Sequence, residues 1–290
     1  MTTAPAAPPR TVEDRAERVA RLEASAHRIR HHALDMGEVQ GQGYVGQALG
    51  VADVLAVVYG DQLRFRPDEP EWPERDRFLL SIGHYAIALY AALAEAGTIP
   101  VAELDTYGSD DSRLPMSGMA SYTPGMEISG GSLGHGLGVA TGMALGLRLQ
   151  GSSARVINLL SDGELDEGST WEAALACAHH GLDNVTAIVD VNALQADGPT
   201  AGVLRTEPVT DKWRAFGWHA VRVDGNDVGA LVDAFDELRT HRGRPSVLVC
   251  DTRVGSGVRM FEEREKAHFL RVAEDEWQQA RDQLDERTAR

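Results

Sequence analysis

Residues 155–198 read RVINLLSDGELDEGSTWEAALACAHHGLDNVTAIVDVNALQADG. RVINLL (155–160) and VTAIVDV (185–191) are short apolar runs with the composition of strands. Between them, Gly168–His180 has the character of a helix. Strand, helix and strand in that order make the unit from which parallel sheets are built. The alternation extends in both directions. Upstream, Phe78–Leu80 reads as a short buried strand, and SIGH (81–84) opens an apolar helix to about Ala96. Residues 131–149 are Gly-rich and then helical. Downstream, Trp218–Val223 resembles a strand, and Asp227 caps a helix carrying Leu231, Ala234, Phe235 and Leu238 on one face. SVLVCD (246–251) is another buried strand. The expected fold is α/β: a doubly wound, mainly parallel sheet with helices on both faces.

The remaining segments fit around that core. MTTAPAAPPR (1–10) reads as a disordered tail, leaving 11–290 as one domain. Thr11, with Asp14 three residues on, can cap a first helix, along which Val12, Ala16, Val19, Ala26, Ile29 and Ala33 recur at helical spacing. His27 and His31 share a face of that helix at i, i+4. With no third ligand signalled, they read as solvated surface rather than a metal site. The Gly-rich run GQGYVGQALG (41–50) interrupts the chain before a helix at Val51–Tyr59. Pro67–Arg75 and 195–210 read as loops, and 105–130 has no clear assignment.

Composition removes several classes. With 28 basic against 44 acidic residues, the formal net charge is −16. A broad nucleic-acid or anionic-membrane surface needs the opposite sign. No apolar run is long enough to span a bilayer, and the amino terminus has no apolar signal region. Cys177 and Cys250 are too few for a disulfide framework and sit in apolar stretches, as buried thiols do in a reducing cytoplasm.

Two strand ends carry unusual residues: SDGELDEG (161–168) and DVNALQADG (190–198). In open parallel sheets, ligands bind beyond the carboxyl ends of the strands. Asp162 and Asn192 are one βα unit apart, so adjacent strands would bring both to one sheet edge. A carboxylate and a carboxamide oxygen there suit a hard cation such as Mg²⁺. Gly163 would let the backbone approach a ligand closely, and the helix from Gly168 adds a positive dipole end. The alternative is that Asp162 caps a helix and Asn192 starts a turn.

SDGELDEGSTWEAAL followed by DVNALQADG resembles the thiamine diphosphate fingerprint of the transketolase family. RFLLSIGHYAIALYAAL (77–93), GGSLGHGLGVATGMALG (130–146), FGWHAVRVDGNDV (216–228) and TRVGSGVRMFEEREKAH (252–268) are similar to family segments in the same order. The likeness covers most of 15–280, within the amino-terminal, diphosphate-binding part of the family. It implies that Asp162, Asn192 and the backbone carbonyl of Leu194 hold Mg²⁺, which bridges the diphosphate. Gly131, Leu133, Gly163 and Glu164 would line the cofactor. His84 and His268 would bond its diphosphate or the nearby substrate, His268 by an ungapped count from Gly257. Glu167 matches the family's interface glutamate, which couples protons between cofactor sites.

The family's pyrimidine-binding domain, with the glutamate that activates the cofactor, has no counterpart in this sequence. The resemblance therefore implies a split enzyme: this chain with a separate pyrimidine-binding and carboxy-terminal subunit, in an α2β2 heterotetramer. Two departures bear on the substrate. Tyr44, in Gln42-Gly43-Tyr44-Val45-Gly46, and Ser117, after Leu114-Pro115-Met116, stand where the family has donor-facing histidines. Ser161 replaces the first Gly of the metal motif. The expected activity is transfer of a two-carbon ketol or related acyl unit to an aldehyde, on a non-standard donor or acceptor. The alternatives are part of an ordinary sugar-phosphate transketolase, or a non-catalytic regulatory subunit. A nucleotide-binding oxidoreductase is disfavoured, because no G-x-G-x-x-G joins the first strand and helix.

Overall fold

The parallel sheet follows from runs that are apolar on both faces. In the computed structural model, which describes residues 13–288, five strands form it. They are β1 (Arg77–Leu80), β2 (Val156–Ser161), β3 (Val185–Val191), β4 (His219–Asp224) and β5 (Ser246–Asp251). All pair in parallel, in the order β1-β2-β3-β5-β4. Successive side chains of a strand point to opposite faces, so each strand feeds two cores. Along β5, Val247 and Val249 enter one core while Leu248 and Cys250 enter the other.

The first core packs the sheet against α1 (Arg15–Gln40), α2 (Val45–Val57) and α3 (Ala86–Glu95). The second packs it against α4 (Gly136–Leu149), α5 (Gly168–His179) and α6 (Val209–Ala215). Two further helices, α7 (Val228–Thr240) and α8 (Glu274–Thr288), join the first core through residues such as Leu231, Phe235, Trp277 and Leu284. Helices therefore cover both faces, as the alternating sequence pattern requires. Asp227 caps α7 by accepting a bond from the Ala230 N–H at 2.9 Å. Cys177 and Cys250 are free and buried. Among the described residues, no helix is long and apolar enough to cross a membrane.

Several boundaries move. The 1–10 tail and Thr11 lie outside the described residues, and α1 starts at Arg15 with Asp14 in the cap position. The second helix starts at Val45, inside the Gly-rich run, rather than at Val51. Its glycines are there for packing: a Cβ on Gly50 would stand 2.9 Å from the Arg253 carbonyl, and one on Gly46 2.7 Å from Val254. The 195–210 loop contains a two-residue hairpin (Leu194–Gln195 with Gly198–Pro199), one helical turn at Thr200–Val203 and the start of α6.

Candidate functional site

Parallel pairing in register, with Ser161 opposite Asp190, brings the ends of β2 and β3 side by side. Asp162 follows β2 directly and is 2% exposed. Its Oδ2 accepts bonds from the Ala193 N–H at 3.1 Å and the Thr200 hydroxyl at 2.9 Å. The loop after β3 is thus folded onto the Asp162 carboxylate. Burial, reinforced by the nearby Asp190 carboxylate, pushes Asp162 up to about 7 against those hydrogen bonds. Among the described residues, neither Asp162 nor Asp190 forms an ion pair. Two buried acids without a cation make a site that favours binding one.

Asn192 stands on the same ledge. Its Nδ2 donates to the Tyr85 hydroxyl at 2.8 Å and to Asp190 at 2.7 Å, which turns Oδ1 the other way. Oδ1 also accepts from the Leu194 N–H at 3.0 Å, so the turn-forming role coexists with an oxygen on offer. Ala193 between them adopts a left-handed φ of 60°, a strained conformation that is held by the bonds around it. Leu194 and Pro199 face each other across the hairpin as a pair without mutual hydrogen bonds, the Thr200 N–H bonding the Ala193 carbonyl at 3.0 Å instead, so the Leu194 carbonyl points away from that strand. Asp162 does not cap the turn that follows it; Ser161 does.

Ser161 and Glu164 form a reciprocal capping box, with Ser161 Oγ accepting the Glu164 N–H at 3.3 Å and Glu164 Oε2 accepting the Ser161 N–H at 3.2 Å. Glu164 Oε1 accepts from the Ser81 hydroxyl and from the Gly134 N–H at 2.8 Å. This buried acid, raised in pKa chiefly by desolvation, ties together the turns after β1 and β2 and the Gly-rich segment before α4. Gly163 precedes it in the same turn, and Gly131 stands three residues before Gly134. A Cβ on Gly131 would meet nothing within 4 Å, and one on Gly163 only ordinary contacts at 3.7 Å and beyond. Leu133 is half-buried against the first core.

His84, in the turn after β1, is half-buried, with its ring centroid 4.5 Å from Tyr44 and 5.7 Å from His268. Tyr44 and His268 are 5.5 Å apart, edge to face. Three residues far apart in the chain therefore share one wall. Gln47 fixes His268 by donating to its backbone carbonyl at 2.7 Å. Burial and the neighbouring His268 hold His84 down at about 4, so its imidazole is neutral at pH 7. Ser117 is exposed, but the next residue, Gly118, donates its N–H to the Gly83 carbonyl at 3.2 Å. Glu167 is exposed at the start of α5, with its Cβ close behind Gly134. The ledge is open: Gly131, Ser132, His135 and Glu167 all face outward. A cleft of about 700 Å³ lies at the opposite end of the sheet, lined by Asp76, Arg155 and Asn184, just before β1, β2 and β3.

Sequence reasoning missed Asp190, Tyr85 and Thr252. Asp190 is 1% exposed and accepts bonds from Tyr85, Thr252 and Asn192. A signal was present: an acid inside VTAIVDV, two residues before Asn192, points to the same face of the strand.

The strand-end ledge, with its acid–amide pair and Gly-rich turns, defines a cofactor-binding α/β domain. Residues 22–288 match the family "Transketolase, thiamine diphosphate binding domain", and the chain belongs to the transketolase family. It is 65% identical over 260 residues to a putative uncharacterized transketolase family protein of Sinorhizobium fredii, covering 89% of this chain and 93% of that one. It is 37% identical to the 6-deoxy-6-sulfo-D-fructose transketolase subunit SqwG of a Clostridium species, covering 92% and 98%. It is 40% identical to an apulose-4-phosphate transketolase subunit of Actinobacillus succinogenes, covering 83% and 87%. The structure of transketolase from Leishmania mexicana superposes with a TM-score of 0.83 at 28% identity, over 93% of this chain. This chain spans 41% of that one.

Proposed function

We propose that this chain is the diphosphate-binding subunit of a two-component, thiamine diphosphate-dependent transketolase acting on a non-standard sugar. The carrying observation is the buried Asp162 carboxylate, uncompensated by any cationic side chain among the described residues and hydrogen-bonded to the loop that carries the Asn192 amide oxygen and the Leu194 carbonyl. These three oxygen donors would hold Mg²⁺ against the cofactor's diphosphate, and hard oxygen ligands suit that ion. Thiamine diphosphate, when bound, supplies the carbanion chemistry for moving a two-carbon ketol or related acyl unit from a ketose donor to an aldehyde.

The chain's own residues position and recognise. Gly131 and Gly163 leave room for the cofactor, Leu133 lines it, and Glu164 locks the loops that carry them. His84 and His268, with His84 neutral, offer hydrogen bonds to the diphosphate or the reacting sugar. Tyr44 packs on both, so the sugar meets a phenol where the family's histidine would stand, and Ser117 makes a second such change. Glu167 faces outward where a neighbouring subunit can reach it.

The open ledge supports a partner that supplies the pyrimidine side of the site. So does the exposed face of α4, where Gly138, Gly142 and Gly146 have open space above them and Leu149 is 88% exposed. Two relatives that this chain covers almost end to end are themselves named as subunits, of enzymes for a sulfo-sugar and for apulose 4-phosphate. We place residues 11–290 in one domain, the assembly at α2β2 and the enzyme in the cytoplasm.

Calorimetric titration of thiamine diphosphate with Mg²⁺, into this chain alone and then with the protein encoded beside it, tests the reading. Weak or no binding alone and tight, magnesium-dependent binding with the partner is expected. Tight binding alone would overturn the two-component reading. Ordinary turnover of common ketose phosphates by the pair would overturn the altered-substrate part.

Tyr85→Phe removes one of the two acceptors that orient the Asn192 amide, together with a donor to Asp190, and leaves the direct Asn192–Asp190 bond. The Mg²⁺ needed for half-maximal activity is expected to rise by roughly 10-fold or more, the usual penalty for losing a group that orients a ligand. An unchanged magnesium dependence would show that the Tyr85 hydroxyl does not position Asn192.

A further inference from the structure

The seam between α1 and α8 carries a cluster that the cofactor site does not use. The two helices run antiparallel. Trp277, Ala280 and Leu284 of α8 are buried in the first core, and Arg281 pairs with Asp35 at 2.9 Å and with Glu38. One turn beyond Arg281, Asp285 reaches the two histidines whose spacing alone reads as solvated surface. The missing third ligand comes from the far end of the chain, where no local spacing could signal it. His27 and His31 are half-buried, with 24% and 26% of their side chains exposed, while Asp285 is 61% exposed.

Three atoms converge there. His31 Nε2 lies 2.9 Å from Asp285 Oδ1 and 3.2 Å from His27 Nε2, and His27 Nε2 lies 3.2 Å from Asp285 Oδ1. Hydrogen bonding between neutral imidazoles and a carboxylate satisfies at most two of these three edges. If both rings carry the proton on Nε2, two donors face each other. If one does, a nitrogen and a carboxylate oxygen present lone pairs to one another. A single dication satisfies all three lone pairs at once. Zinc ligands at about 2.0–2.1 Å in tetrahedral geometry lie about 3.3 Å apart, close to the observed edges. The three atoms fit such an ion seated about 1 Å outside their plane, with the fourth position open to solvent. The adjacent Arg30 is neutralised by its buried pair with Asp53.

We propose that His27, His31 and Asp285 bind one transition-metal dication of the Zn²⁺ class, pinning α8 to α1. Two imidazoles and a carboxylate select such an ion over Mg²⁺, which prefers all-oxygen octahedral surroundings.

The test is calorimetric titration of Zn²⁺ into the untagged full chain in excess Mg²⁺, with the melting temperature followed in parallel. One Zn²⁺ per chain is expected, with micromolar or tighter affinity and a rise in melting temperature. His31→Ala and Asp285→Asn should each weaken binding by roughly 100-fold and abolish that rise. Both variants should melt like the parent in chelator, which separates metal loss from misfolding. Asp162→Asn, at the cofactor ledge, should leave Zn²⁺ binding unchanged. No binding below about 1 mM, or binding unaltered in both variants, would overturn the proposal.

Discussion

Asp162→Ala should reduce activity of the partnered enzyme by about 1,000-fold or more and remove magnesium-dependent cofactor binding, with assembly preserved. The reason is the balance of charge at the strand ends. A metal ion that loses its anionic protein ligand keeps only neutral oxygens from this chain, and metal-mediated stabilisation is worth several kcal/mol. Steady-state rates and calorimetry on the partnered complex check this. Retained cofactor binding would move the metal elsewhere, and retained activity would point to a regulatory subunit.

The same residue gives a pH signature without the metal. Burial raises the Asp162 carboxyl to about 7, against about 3.9 for an unfolded aspartate. A raised acid binds its proton more tightly in the folded state. The chelator-treated chain is therefore stabilised at low pH by this group, and loses that contribution as pH rises from about 4 to about 7. The full penalty above pH 7 has a ceiling of about 4 kcal/mol. Asp162→Asn keeps an acceptor for Thr200 and Ala193 and carries no charge. It should be more stable than the parent at pH 8, and the gap should close towards pH 5. A gap independent of pH would mean that Asp162 is not held as a buried acid.

Gly130→Ala should disrupt the site by a different route. A Cβ there would lie 2.2 Å from the Gly83 Cα, and one on Gly83 would lie 2.4 Å from the Gly130 carbonyl carbon and the Gly131 nitrogen. Both clashes are with backbone, so no rotamer change relieves them. The turn carrying His84 and the loop carrying Gly131 must move apart, breaking the Gly130 N–H bond to the Gly118 carbonyl at 2.9 Å. Overpacking of this kind costs about 1–3 kcal/mol, or roughly 2–5 °C of melting temperature at this chain length. Cofactor affinity of the partnered enzyme should fall in parallel. Gly138→Ala is the control: its Cβ would enter open space, and replacing a helical glycine should stabilise the isolated chain by about 0.5–1 kcal/mol. Equal melting of the Gly130 variant and the parent would show that the loops are not tightly apposed.

The glycines also show where sequence reading stops. Gly-rich composition marks 41–50 as a break, yet Gly46 and Gly50 lie inside α2. A glycine that permits a turn and one that permits close packing look alike in sequence, and only the neighbour across the gap distinguishes them. The strands are more legible, because a parallel strand buried on both faces must be apolar at nearly every position. For the same reason the acid in VTAIVDV stands out, although its partners Tyr85 and Thr252 do not.

Sequence alone determined the alternation of strands and helices, the acid and amide one βα unit apart, and the family likeness. Each is written in local composition or in fixed spacing along the chain. Tertiary structure decided the rest: that Tyr44, His84 and His268 form one wall, that Glu164 clamps three loops, and that Asp285 completes the His27–His31 pair. Those contacts join segments up to 258 residues apart. Their geometry depends on how the helices pack across the sheet, which no local pattern encodes.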